Sequence, residues 1–255
     1  MLQAVIHKKL KASFTDPTFR PSEDTLTSSV VGLLQYLPPE VFNKILNESC
    51  GINSPFPNDI GDIDYINFWE HWDATETSNA RIVEPDVIIS TNKYHIIIEA
   101  KKSDESGQYS EQWLNEIKAF LNTHELDDRN VVLLALGGNM SLEHNNLIVD
   151  DISYPIYKAS WFNILNSVSK LINEILPNHV KRILSDIIDA FEIHGFFNIE
   201  WLDSIQTVEF NKNTIAVLSH KCSFSKYYIP NKPLMVNSKN IWQIINVPLK
   251  SKRVL

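Results

Sequence analysis

The stretch RIVEPDVIISTNKYHIIIEAKK, from Arg81 to Lys102, sets two runs of β-branched residues on either side of a polar centre at Asn92-Lys93. Runs of that composition form strands, and a short turn between them makes a β-hairpin. With the turn centred there, Val87 faces Ile98 and Ile88 faces Ile97. Further out, Asp86 faces Glu99 and Glu84 faces Lys101. Strand side chains alternate between faces, so these four charged residues share one face, with cross-strand neighbours about 5 Å apart at Cβ. Val87, Ile89, Ile96 and Ile98 fill the other face, while Ile88 and Ile97 continue the charged face toward the turn. Both faces therefore read as buried, and the acids sit at one end of a covered sheet.

Two carboxylates at that range repel, and burying them costs several kcal/mol unless positive charge intervenes. A divalent cation resolves the conflict. Mg²⁺ takes hard oxygen ligands, commonly one or two carboxylates with waters and phosphate oxygens, and Mn²⁺ is a natural substitute. Asp86 and Glu99 supply the carboxylates. Lys101 points to the same side, where it would orient or deprotonate an attacking water or neutralise charge developing on phosphate oxygens.

The rest of the chain reads as α/β. Ser22 is a helix N-cap followed by Leu26, Val30, Leu33, Leu34 and Leu37 at helical spacing, with Pro38-Pro39 as a stop. A short helix from Glu40 to Asn47, a loop from Cys50 to Asp62 and a strand from Ile63 to Trp72 precede the hairpin. Gln108 to Thr123 is an amphipathic helix carrying Trp113, Ile117, Phe120 and Leu121. Val131 to Leu136 and Ser153 to Lys158 are strands, Trp161 to Ile175 and His179 to His194 helices. The segment after Gln206 reads as strand-rich.

At these residues the chain resembles the PD-(D/E)XK nucleases, the restriction-endonuclease-like superfamily. EPD at Glu84 to Asp86 and EAK at Glu99 to Lys101, on consecutive apolar strands, match its signature. A helix before the first strand often contributes a glutamate there, and Glu23 is so placed. The following helix often carries a glutamine facing the site, and GQYSEQW offers Gln108 and Gln112. A strand ending near Lys158, then SWFNIL and a helix ending in FEIHGFF, resembles stand-alone bacterial members, so the likeness spans roughly Ser22 to Phe197.

The resemblance implies a core of helix, three-stranded meander, helix and strand, and Mg²⁺-dependent hydrolysis of phosphodiester bonds, with DNA as substrate. Asp86, Glu99 and the carbonyl of Ala100 would hold the metal, and Lys101 would serve the attacking water. Glu23 would bind a second metal or hold a water. Gln112 would contact a phosphate or orient Lys101, and Glu84 would pair with Lys101 across the hairpin. Cutting both strands of a duplex suits two copies of the site, hence a homodimer. A domain of residues 1–206 is expected, with a basic extension over 207–255 whose role the sequence does not name.

Other features narrow the alternatives. With 255 residues, 44% hydrophobic and 21% charged, the chain can bury a sizeable core. Cys50 and Cys222, far apart and without paired spacing, point to neither a disulfide framework nor a thiolate metal site, and fit a reducing cytoplasm. The start, MLQAVIHKKLKASF, is too charged for a signal peptide, and no apolar run is long enough for a membrane span. The formal charge of -8 divides unevenly: eight Lys or Arg against one acid give residues 207–255 a net +7, leaving -15 to the remainder. An acidic body weakens attraction to nucleic acid. It therefore favours a second function class, a nuclease-like fold without catalysis that binds nucleic acid or protein. The intact set of Asp86, Glu99 and Lys101 favours catalysis, on DNA or on RNA. Trp113 and Trp161 read as core, Gly137-Gly138 as a turn, and no histidine pair, EHNN at Glu143 to Asn146 included, forms a convincing site. Nothing resembles a nucleotide-binding P-loop.

Overall fold

The computed structural model describes residues 3–4, 9, 21–79, 81–104, 106–124 and 127–198. The described residues belong to the compact unit Met1–Ile199. The expected boundary near residue 206 and the strand-rich basic extension beyond it lie outside the described residues.

Helix α1, Glu23–Leu34, starts where the Ser22 hydroxyl accepts the Thr25 amide and the Thr25 hydroxyl accepts the Ser22 amide. This reciprocal cap satisfies two amides that a helix start leaves unpaired. The helix ends short of Leu37, because the Tyr36 and Leu37 amides tighten onto the carbonyls of Leu33 and Leu34. Helix α2, Pro39–Ser49, follows directly with proline in its first turn.

The strands are β1 Ile63–Phe68, β2 Trp72–Asp73, β3 Ile82–Val83, β4 Val87–Thr91, β5 Tyr94–Ala100, β6 Asn130–Leu136, β7 Asn145–Val149 and β8 Ile152–Ala159. Between β5 and β6 runs helix α3, Ser110–Thr123; after β8 come α4, Trp161–Leu171, and α5, Asn178–Ile193. Six strands form a mixed sheet in the order β1-β4-β5-β6-β8-β7, while β2 and β3 pair apart from it. The β4–β5 register sets Val87 against Ile98 and Ile88 against Ile97, as the turn position predicts. Strands β1, β4 and β5 are an antiparallel meander, and β5, β6 and β8 run parallel, which requires the α3 crossover.

One expected element is corrected, for a local reason. The strand predicted over Ile63 to Trp72 breaks at Trp69, whose φ of 50° cannot continue a pleated strand, so Trp72 pairs with Val83 instead. Asn145 and Asn146, within the EHNN run, lie in an edge strand, β7, paired with β8.

Alternation along the sheet builds two cores. Val87, Ile89, Ile96, Ile98, Val132 and Leu134 pack with α1, α2, α4 and α5, whereas Ile88, Ile97, Leu133 and Ala135 pack with Trp113, Ile117 and Phe120 of α3. The molecule is an α/β fold whose mixed sheet is flanked by helices on both faces. Among the described residues no helix is long and apolar enough to cross a membrane.

Candidate active site at the end of the hairpin

By strand alternation Asp86 shares the α3 face with Ile88, and Glu99 and Lys101 share it with Ile97. Asp86 is 8% exposed and Glu99 2%. Asp86 Oδ1 accepts the Trp69 indole N–H at 3.1 Å, and Oδ2 accepts the Ala100 amide at 2.9 Å. In an extended strand a residue's carbonyl leaves on the same side as its amide, so the Ala100 carbonyl is turned toward β4 as well.

Lys101 Nζ donates to Glu99 Oε1 and lies 3.6 Å from Glu23 Oε1. Glu23 reaches the site from the first turn of α1, and its Oε2 accepts the Lys102 amide at 2.9 Å. Burial lowers the Lys101 pKa, but Glu99, by charge and by hydrogen bond, together with Glu23, more than reverses this and leaves it raised. Without metal the side chain is therefore held as an ammonium.

The two glutamines near the start of α3 are held differently. Gln112 lines a cleft with Glu84 and Glu116 and has no side-chain hydrogen bond to Lys101. Gln108, just before the helix, donates to the Glu99 carbonyl at 2.9 Å and accepts the Trp113 indole N–H at 2.7 Å. Helix α3 starts at Ser110, which leaves Gln108 in the approach where its side chain can turn back on β5. Glu84 does not pair with Lys101 either. It accepts from Lys9 Nζ, and its Oε2 lies 3.0 Å from His71 Nε2, because Glu84 precedes the first ladder pair of β4 and is free to turn outward.

The sequence reading missed Glu116. This residue of α3 is 1% exposed, its carboxyl lies against that of Glu99, and its Oε2 has no hydrogen-bond partner. Three residues after Trp113 and one before Ile117, it falls inside the apolar stripe, and that position was the available signal. Burial and then the charge of Glu99 push Asp86 up to about 8, and the same two causes push Glu116 well above the ordinary glutamate range.

In metal-free buffer the folded protein thus holds a proton on Glu116 that the unfolded chain releases above the ordinary glutamate value of 4.5. The stability so contributed is full below that value and is lost as pH rises toward the raised one. Replacing Glu116 by glutamine is therefore expected to stabilise the protein by an amount that grows as pH rises above the ordinary glutamate range. Thermal melts of both proteins in EDTA should diverge from about pH 5 upward. A constant difference across that range would show that the Glu116 charge costs nothing.

Two glycines complete the surroundings of Lys101. Gly137 and Gly138, each with φ of 68°, form the turn after β6 that the sequence predicts. They also lie against Lys101: a Cβ on Gly137 would stand 2.2 Å from the Lys101 carbonyl oxygen, and one on Gly138 2.9 Å from Lys101 Cβ. The Lys101 carbonyl accepts the Trp161 indole N–H at 2.7 Å.

No family model matches the sequence. A protein of Pasteurella multocida strain Pm70, named Uncharacterized protein PM0110, is 29% identical over 229 residues, covering 81% of this chain and 85% of its own. Among solved structures, a chain from a half-complex of the tetradecameric assembly of Thermococcus gammatolerans McrB AAA+ hexamers with bound McrC matches 49% of this chain. This chain spans 28% of that one, at 11% identity and a TM-score of 0.25. A score that low carries no weight for fold or function, so the chemistry rests on the residues themselves.

Those residues suit a hard divalent cation. Among the described residues no three His, Cys, Asp or Glu side chains already form a metal cage. Two carboxylates with waters and substrate oxygens are, however, the usual Mg²⁺ set, and each Asp86 oxygen keeps a lone pair beyond its one hydrogen bond. Glu116, whose Oε2 has no hydrogen-bond partner, sets a third buried carboxyl beside them.

Proposed function

We propose that this chain is a metal-dependent nuclease that hydrolyses phosphodiester bonds, with DNA as its substrate. The observation that carries this reading is the burial of Asp86 and Glu99 beside the Lys101 ammonium at one end of the sheet, with a third buried carboxyl, Glu116, alongside. Such a cluster is costly to a fold that does not use it.

Asp86 and Glu99, with the Ala100 carbonyl, would hold Mg²⁺, and Mn²⁺ in its place. When bound, the metal supplies Lewis-acid stabilisation of charge on the phosphate oxygens. Lys101 places its ammonium where negative charge grows as the bond to the leaving oxygen breaks, which is the most effective use of a preorganised charge. Glu23 keeps Lys101 turned toward the site and is placed to accept a hydrogen bond from the attacking water. Gln108 fixes the backbone at Glu99, and Gln112 faces the approaching substrate from the α3 cleft.

Two copies of the chain would serve the two strands of a duplex. A cytoplasmic setting agrees with the buried free thiol of Cys50. The formal charge of -8 favours a second reading, a nuclease-like fold that binds nucleic acid or protein without cutting. Incubation with supercoiled, linear and single-stranded DNA, and then RNA, in Mg²⁺ or Mn²⁺ separates the two. Cutting that EDTA stops supports the nuclease, whereas retarded but intact nucleic acid supports the binding module.

A further inference from the structure

We propose that Trp69 is a positioning residue for the cation site, holding Asp86 in the orientation in which it can ligate a metal. The proposal deepens the nuclease reading and rests on it.

Trp69 follows β1 at the position opposite Asp86, and its amide donates to the Asp86 carbonyl at 3.2 Å. Regular alternation would put its ring on the α3 face beside the acids. Its φ of 50° breaks the alternation, and the ring packs instead in the opposite core, in contact with Phe68 at 5.5 Å between centroids. From there the indole N–H reaches round the sheet end to Asp86 Oδ1 at 3.1 Å. A bulky side chain in the left-handed region is uncommon, and such strain gathers where a site needs a group held in place.

The second donor, the Ala100 amide, comes from β5 to Oδ2 at 2.9 Å. One donor per oxygen, from strands on either side of β4, fixes both the tilt and the rotation of the carboxylate. Neither donor can accept, so each leaves a lone pair of its oxygen for a cation. Lys9 Nζ, 5.5 Å from the Trp69 ring centroid, also holds Glu84, which keeps that acid turned away from Asp86. Groups that orient metal ligands in this way typically govern affinity by about 10–100-fold.

The test is Mn²⁺ titration by calorimetry of the wild type, Trp69→Phe and a packing control, Phe68→Leu. The phenyl ring keeps most of the buried surface and removes the donor. Trp69→Phe is expected to bind Mn²⁺ about 10–100-fold more weakly, whereas Phe68→Leu lowers Tm and leaves the affinity unchanged. If Trp69→Phe does not fold, β-(3-benzothienyl)alanine at position 69 removes the N–H while keeping the bicyclic shape, with the same expectation. Wild-type affinity in the folded donor-less protein would overturn the proposal. Absence of Mn²⁺ binding by the wild type would instead remove the cation reading, and the positioning role would fall with it.

Discussion

Replacing Lys101 by methionine is expected to slow metal-dependent cleavage by about 10²–10³-fold, the usual loss when one preorganised charge or donor is taken from a transition state. Methionine keeps the stem that packs against Gly138 and removes only the ammonium. The Lys101 side chain is 21% exposed and its charge serves Glu99 and Glu23 rather than the apolar core, so a thermal melt run beside the assay registers what loss of the ammonium costs the fold. Mn²⁺ binding should persist or tighten, since a competing cation has gone. Loss of cleavage with binding retained separates a catalytic role from a structural one. A variant that cuts at the wild-type rate would show that Lys101 only balances the charge of Glu99.

The second large effect is expected at Gly137. A methyl group there meets the Lys101 carbonyl oxygen at 2.2 Å and Trp161 Nε1 at 2.8 Å, the two atoms joined by the 2.7 Å hydrogen bond. Lys101 directly follows β5, Gly137 directly follows β6 and Trp161 opens α4, so relief requires the turn after β6 to move away from β5. Adding the penalty for alanine at a φ of 68°, Gly137→Ala should lose about 3 kcal/mol or more. At about 2–4 °C per kcal/mol this is a Tm lower by roughly 10 °C. Gly195, with φ of 87° and nothing within 4 Å of its added Cβ, is the control, and Gly195→Ala should lose only about 1 kcal/mol. Equal losses at the two positions would mean that the contact with Lys101 does not constrain the turn.

The hairpin was legible because its apolar runs leave one register that buries both faces, and the observed pairing of Val87 with Ile98 agrees. The same alternation places Asp86, Glu99 and Lys101 on one face without knowledge of the rest of the fold. Residues whose partners come from distant elements were not legible. The place of Glu116 inside the apolar stripe of α3 signalled its burial, but that it lies against Glu99 follows only once α3 is laid on β5. That Gln108 rather than Gln112 bonds the Glu99 carbonyl depends on where α3 starts, and helix starts without a side-chain cap, as at Tyr109, leave little trace in sequence. Gly137-Gly138 was readable as a turn but not as a wall for Lys101, because the parallel pairing of β5 with β6 is a long-range contact. The break at Trp69 ran against local propensity, since aromatic residues favour strands.

The central claim is that the buried charges at the end of β4 and β5 serve a divalent cation and a scissile phosphate. Its most direct test is the integrity of supercoiled DNA incubated with the folded chain in Mg²⁺ or Mn²⁺, with EDTA as control. The expected result is nicked or linear product in the presence of metal only. DNA left intact in both metals, followed by intact RNA under the same conditions, would contradict it.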